Sequence, residues 1–198
     1  EQKSVETQHS QGNTVAKSQI NAGGKVNIHT QGAGKDSTIT IAGSDVSGKA
    51  GTKLSAEVGV NVVAVDENHL ERSKNSASGF NTGVAVSYGS GGFAMGVTAG
   101  GNVAKGYGNG ESQAWVGGRV GSQNSKTEIE SGSTINIIGS QAVGKRVEVK
   151  AQDLNIESVQ DTMKYEGKQE SISGQVTVGY GVSGSASYSN SKVKADYA

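Results

Sequence analysis

The chain has 198 residues, of which 33% are hydrophobic and only 5% aromatic. That apolar content is too lean for a compact globular domain with a thick interior. Its 18 basic and 18 acidic residues cancel, so the balance points to neither a nucleic-acid groove nor steering toward an anionic membrane.

Cysteine is absent, which excludes disulfide scaffolds and thiolate metal sites and suits a protein that crosses an oxidising periplasm unfolded. With 31 glycines and no proline, glycine reads as punctuation between strands and not as part of a disordered linker. Glu1 is not preceded by a methionine or a charged-then-apolar leader. No run approaches the roughly 18 apolar residues of a membrane-spanning helix. The expectation is an excerpt from a longer protein.

Residues 1–78 read as coils of a solenoid. Helical periodicity is hard to find, whereas apolar pairs separated by one residue recur at Val26 and Ile28 and at Ile39 and Ile41, the pattern of short strands with one buried face. Ile20, Ile39 and Val58 fall nineteen residues apart, and Ile41 and Val60 repeat the interval. A fixed period near twenty residues predicts stacked rungs, each of two or three short strands.

Residues 79–124 change character. Gly83–Tyr88, Gly92–Thr98 and Ala114–Val120 alternate small and larger apolar residues, which predicts glycine-rich antiparallel β-hairpins. Ser90-Gly-Gly92, Gly100-Gly-Asn102 and Gly106–Gly110 are expected to be turns with positive φ.

Residues 125–170 return to solenoid, with pairs at Ile135 and Ile137, Val147 and Val149, and Leu154 and Ile156. Here Ile135 to Leu154 and Ile137 to Ile156 again span nineteen residues. Ser133–Ser140 repeats Ser37–Ser44 at a shift of 96, so a longer repeat sits above the rungs. Residues 171–198 open a second hairpin segment, in which Ser171–Gly174 answers Ser76–Gly79 and Val176–Gly181 answers Val84–Gly89.

Several chemical motifs fail their context. Gly43–Lys49 and Gly139–Lys145 have the glycine and lysine spacing of a phosphate loop, but Ala50 and Arg146 stand where a hydroxyl must hold Mg²⁺, and no helix follows. Gly179–Gly184 spells a dinucleotide fingerprint without a βαβ unit around it. His9, His29 and His69 lack the spacing of a metal or catalytic site and read as exposed solenoid positions. Asp153, Glu157, Asp161, Glu166 and Glu170 resemble the carboxylates of a polysaccharide-cleaving β-helix enzyme, yet interleaved Lys150, Lys164 and Lys168 favour a solvated charged face. No catalytic residue, cofactor site or metal site is assigned.

The feature that stands out is a stripe of Tyr88, Phe93, Met95, Tyr107, Trp115, Tyr180 and Tyr188. Alternating strands of about ten residues with aromatic ends are the signature of membrane β-strands. The same alternation also fits a soluble hairpin sheet capping the solenoid. These seven residues are the candidate membrane or partner contacts.

Gly144–Asp161, followed by Ser171–Gly174, the serine-rich Val182–Lys192 and Ala195–Ala198, resembles the haemagglutinin repeats of filamentous haemagglutinin-type two-partner secretion exoproteins. The resemblance covers both long repeats, the first of them divergent at Val58–Asn68. It implies a right-handed parallel β-helix exported to the surface of a Gram-negative bacterium through an outer-membrane transporter. The tyrosine- and serine-rich repeat looks most like the distal repeat region of contact-dependent growth inhibition effectors, implicated in carrying a C-terminal toxin across the target-cell outer membrane. Implied partners are the transporter and the target-cell outer membrane or its proteins, with no nucleic acid and no small-molecule substrate. The alternatives are a structural or adhesive filament segment and a β-helix glycan lyase or hydrolase.

Overall fold

The computed structural model describes residues 1–89, 92–179 and 182–198, and the side chains of residues 85, 87–89, 92–94 and 182 lie outside that description. The chain opens with strand β1 (Gln2–Gly12), then two triplets of short strands, β2 (Gln19–Ala22), β3 (Lys25–Thr30), β4 (Thr38–Ala42) and β5 (Asp45–Gly48), β6 (Gly51–Ala56), β7 (Gly59–Val63). The long strands β8 (Val65–Gly89) and β9 (Gly92–Val116) follow. Two more triplets come next, β10 (Arg119–Val120), β11 (Lys126–Ser131), β12 (Thr134–Ile138) and β13 (Gln141–Ala142), β14 (Arg146–Lys150), β15 (Asp153–Glu157), before β16 (Thr162–Val178) and β17 (Val182–Tyr197). The helical content among the described residues is one 3-10 turn, Gly34–Asp36.

The chain forms two compact units. The first, residues 13–68 and 113–162, holds the triplets. Their first strands make one sheet, β2-β5-β10-β13, their second strands another, β3-β6-β11-β14, and their third strands a third, β4-β7-β12-β15. Every pairing is parallel. A chain that visits three parallel sheets in the same order four times has the winding of a β-helix.

Register explains how so lean a sequence builds a core. Ile28, Leu54, Ile129 and Val149 stack through successive triplets, as do Ile39, Val60, Ile135 and Leu154. Leu54, Val60, Ile129 and Ile135 are fully buried, so each apolar side chain serves two neighbouring rungs. Two threonines share this interior with their hydroxyls satisfied: Thr52 Oγ1 accepts the Gly48 N–H at 2.9 Å, and Thr127 Oγ1 donates to the Val143 carbonyl at 2.6 Å. Outward positions stack too, and Asn136 Nδ2 donates to Asn61 Oδ1 at 2.8 Å.

The pairing of Ile135 with Leu154 and Ile137 with Ile156 is the nineteen-residue interval expected for the second half. In the first half the register differs from the expected one. Ile39 pairs with Val60 and Ile41 with Val62, while Ile20 pairs with Val46 on a different sheet. The connection between β3 and β4, residues 31–37, is longer than its counterpart between β6 and β7, residues 57–58, and lengthens the interval from Ile20 to Val46, within which it falls. The interval between paired residues is therefore longest in the first turn.

The second unit, residues 1–12, 69–112 and 163–197, is a five-stranded sheet in the order β1-β8-β9-β16-β17. β1 and β8 pair antiparallel from Gln2 with Gly79 to Gly12 with His69, and β16 and β17 from Met163 with Tyr197 to Val178 with Val182. Neighbours across the other seams also run in opposite directions: Gly79 lies against Asn102 and Gly83 against Thr98, while Gly96 lies against Val178 and Gly106 against Lys168. The unit boundaries thus fall elsewhere than the expected 1–78, 79–124, 125–170 and 171–198. Residues 1–12, 69–78 and 163–170 are sheet, and residues 113–124 are coil. These polar strands lack the alternation that marks a half-buried strand, which hid them.

Two local expectations need correction. Gly100-Gly-Asn102 and Gly106–Gly110 are not turns but interior positions of β9, and none of their glycines has positive φ. Glycine is needed there because a Cβ on Gly106 would stand 3.0 Å from the Lys168 carbonyl oxygen of the next strand. Ala114–Val120 is not hairpin either, since Val120 is a fully buried core residue of the coil. Of the expected turn at Ser90-Gly-Gly92, Gly92 is the first residue of β9, and Ser90 and Gly91 lie outside the described residues.

Candidate functional site

Strand geometry divides the five-stranded sheet into two chemically opposite faces, because successive side chains point to opposite sides. On one face glycine, serine and asparagine dominate. Gly79 faces the Asn102 side chain, Gly108 lies beside Ser73, and Ser171 and Ser173 pair with Ser189 and Ser187 at 2.8 and 2.7 Å. On the other face the same strands carry Val84 and Val86, Met95 and Val97, and Ile172 and Val176, all roughly half exposed or more. Val84 reaches 65% and Val97 63%. An apolar field of this extent, one face of a sheet, is not the scatter of single hydrophobes usual on a soluble surface.

Three of the seven candidate contacts lie on this apolar face with described side chains: Met95, Tyr107 and Tyr188, exposed by 59, 37 and 61%. Tyr88 falls on β8 and Phe93 on β9, with side chains outside the described residues, and Tyr180 lies outside them altogether. Trp115 belongs to the coil unit, where its backbone N–H donates to Asp161 Oδ1 at 2.8 Å. The stripe of seven residues therefore omits the valines and isoleucine that make up most of the field. Their signal was in the sequence as strict period-two spacing at Val84, Val86, Met95 and Val97.

Toward the Val65 end of β8, the apolar face becomes charged. Val5, Thr7, Lys74, Lys105, Tyr107 and Lys168 line one shallow cleft across four strands, and Lys192 pairs in register with Lys168. Lys168 Nζ contacts Glu170 at 2.6 Å, and that hydrogen bond holds the lysine above its ordinary pKa. Lys192 and Lys194 approach Glu166 at 3.6 and 3.5 Å.

The other candidate groups do not converge. Asp153 and Glu157 are exposed on β15, Asp161 holds the Trp115 backbone, and Glu166 and Glu170 are paired with lysines of the sheet, so the five carboxylates form no catalytic pair. His9 and His69 lie on sheet strands, not at solenoid positions as expected, and His29 contacts Gln31. Among the described residues no group of three His, Asp or Glu side chains gathers to hold a metal ion. The phosphate-loop look-alikes are strand connections, with Gly43 and Gly139 at φ +50° and +57° and strands following them.

A family model described as hemagglutinin repeat matches residues 1–174. The chain is similar to the tRNA nuclease CdiA of Escherichia coli O6:K15:H31 (strain 536 / UPEC), at 33% identity over 175 residues, which is 86% of this chain and 5% of that protein. It is similar to the toxin CdiA of Escherichia coli at 27% identity over 205 residues, 100% of this chain and 6% of the relative. The deoxyribonuclease CdiA of Dickeya dadantii (strain 3937) is 28% identical over 173 residues, 87% of this chain and 5% of the relative. The chain thus spans only 5–6% of the length of these relatives. No solved structure matches it.

Proposed function

The chain belongs to the hemagglutinin-repeat family, and on that premise we propose that it is a non-catalytic repeat module of a secreted, cell-surface effector of contact-dependent growth inhibition. In this reading the coil unit is a segment of a right-handed β-helical rod with rungs near twenty residues, exported through an outer-membrane transporter. The sheet unit engages the target cell's outer membrane, so that a C-terminal toxin carried by the same protein can cross it.

The observation that carries the reading is the segregated sheet. Its apolar face runs along β8 from Phe80 toward Gly89, about ten residues, the length a tilted strand needs to cross a bilayer. The opposite face, rich in glycine and serine, has the chemistry of a barrel's inner wall. Sheet edges cannot stay open in lipid, so insertion requires closure with further strands. The relatives add an independent argument. They are named for different activities, tRNA nuclease and deoxyribonuclease, yet all share this segment. A part common to effectors with unlike toxins is suited to what they have in common, which is delivery.

The test uses the full-length protein that carries this chain. Removing residues 79–121 would also delete buried Val120, so the cut is better made at residues 82–99. Asn81 and Gly100 face each other across β8 and β9, and joining them leaves an Asn-Gly pair, the preferred two-residue hairpin turn. Receptor binding should persist and toxin arrival in the target periplasm should fail. Normal arrival would leave the rod without a translocation role and favour a structural or adhesive filament segment.

A further inference from the structure

The zero net charge of the chain conceals a local imbalance on the apolar face of the sheet. Just before the apolar field begins, β8 brings Arg72 and Lys74, β9 Lys105, β16 Lys168 and β17 Lys192 to the same face, answered there by the carboxylates Glu166 and Glu170. With Lys194, which pairs with Glu166 in register, six cations face two carboxylates, an excess of four. Arg72, Lys74 and Lys105 have no carboxylate within ion-pair distance among the described residues. Closer to the strand bases, Lys164 lies with Glu111 and Asp196. The excess lies in a band across the sheet that includes Tyr107, beyond which Val103, Ile172 and Tyr188 follow, with Glu1 and Lys3 at the β1 edge.

We propose that this band, centred on Lys74, Lys105 and Lys168, is a binding site for the anionic phosphate headgroups of a lipid leaflet, and that it sets the depth to which the apolar face enters. The assignment rests on the membrane reading above and specifies its lipid class. Along the strands the cations come first, with Tyr107 among them, then Tyr188 beside Ile172, then aliphatic side chains, which is the order of a bilayer half. Lysine suits the role, as a long stem can lie along apolar surface while its ammonium stays at the headgroups. Each lysine near an anionic surface contributes about 1 kcal/mol, so an unpaired pair is enough to make binding depend on headgroup charge.

The experiment is flotation of the full 198-residue chain with phosphatidylcholine vesicles, with and without a phosphatidylglycerol fraction, at fixed ionic strength. The wild-type chain should partition more strongly onto the anionic vesicles, with an advantage that shrinks as salt is raised. The K74Q/K105Q variant, altered only at exposed positions, should lose about thirtyfold on anionic vesicles, about 1 kcal/mol for each lysine, and change little on neutral ones. The salt titration of the wild-type chain tests the same point without any substitution. Equal flotation on both compositions, independent of salt, would overturn the headgroup assignment and leave membrane engagement standing. No flotation on either would remove both.

Discussion

At the residue scale, backbone conformation and close packing coincide at Gly139. It stands at φ +57° between β12 and β13, a region costing an L residue roughly 1–2 kcal/mol. A Cβ there would also come within 2.5 Å of Val159 and 2.7 Å of Ala64. Gly139→Ala is expected to lower stability by about 2 kcal/mol or more, read as a fall in the thermal midpoint, whereas substitution of Gly23, whose Cβ would meet nothing, should have little effect. Gly43 occupies the same place in the first long repeat, with φ +50°. The repeated Ser37–Ser44 and Ser133–Ser140 stretches are therefore a structural device, a strand and its left-handed exit. The glycine and lysine letters that resemble a phosphate loop arise from that exit.

At the element scale, the outward face of the β3-β6-β11-β14 sheet carries ion pairs that link successive strands. Lys53 Nζ meets Glu130 at 2.8 Å, Glu130 also meets Lys150 at 3.3 Å, and Lys126 reaches Glu148 at 2.7 Å. Hydrogen bonds from Lys53 to Glu130 and from Lys126 to Glu148 hold both carboxyls below their ordinary pKa. A depressed folded-state pKa contributes stability that is present above the unfolded value and disappears as pH falls through the folded one. The thermal midpoint should thus drop as pH falls below about 4.3, and E130Q/E148Q should show a shallower drop, checked by melts across that range. This unit was the part legible in the sequence, since Ile135, Ile137, Leu154 and Ile156 alternate cleanly and sit exactly one stacked strand apart. Ile20 and Ile39 misled because equal spacing says nothing about which of three sheets a residue joins. The extra connection at residues 31–37 shifted the first turn.

At the scale of the whole molecule, each unit solves the problem of low apolar content differently: the coil shares its few aliphatics between rungs, and the sheet leaves its aliphatics uncovered on one face. The stripe was visible in the sequence, but not the partition of the sheet, because strand β1 and the bases of β8 and β9 are mostly polar and carry no sustained period-two signal. The basic band was hidden for another reason. Lys74, Lys105 and Lys168 are far apart in the chain and become neighbours only through antiparallel registers that no local pattern specifies. The central claim is that one face of the sheet, and not the coil, meets lipid. Because the chain has no cysteine, single V97C, T98C and K53C variants can each carry one environment-sensitive fluorophore, placed on the apolar face, the small-residue face and the coil. On mixing with anionic vesicles that bear a lipid-attached quencher, the Val97 position should shift to the blue and be quenched, while the Thr98 and Lys53 positions remain aqueous. A label at Val97 that stays aqueous, or one at Lys53 that is quenched as strongly, would contradict the account.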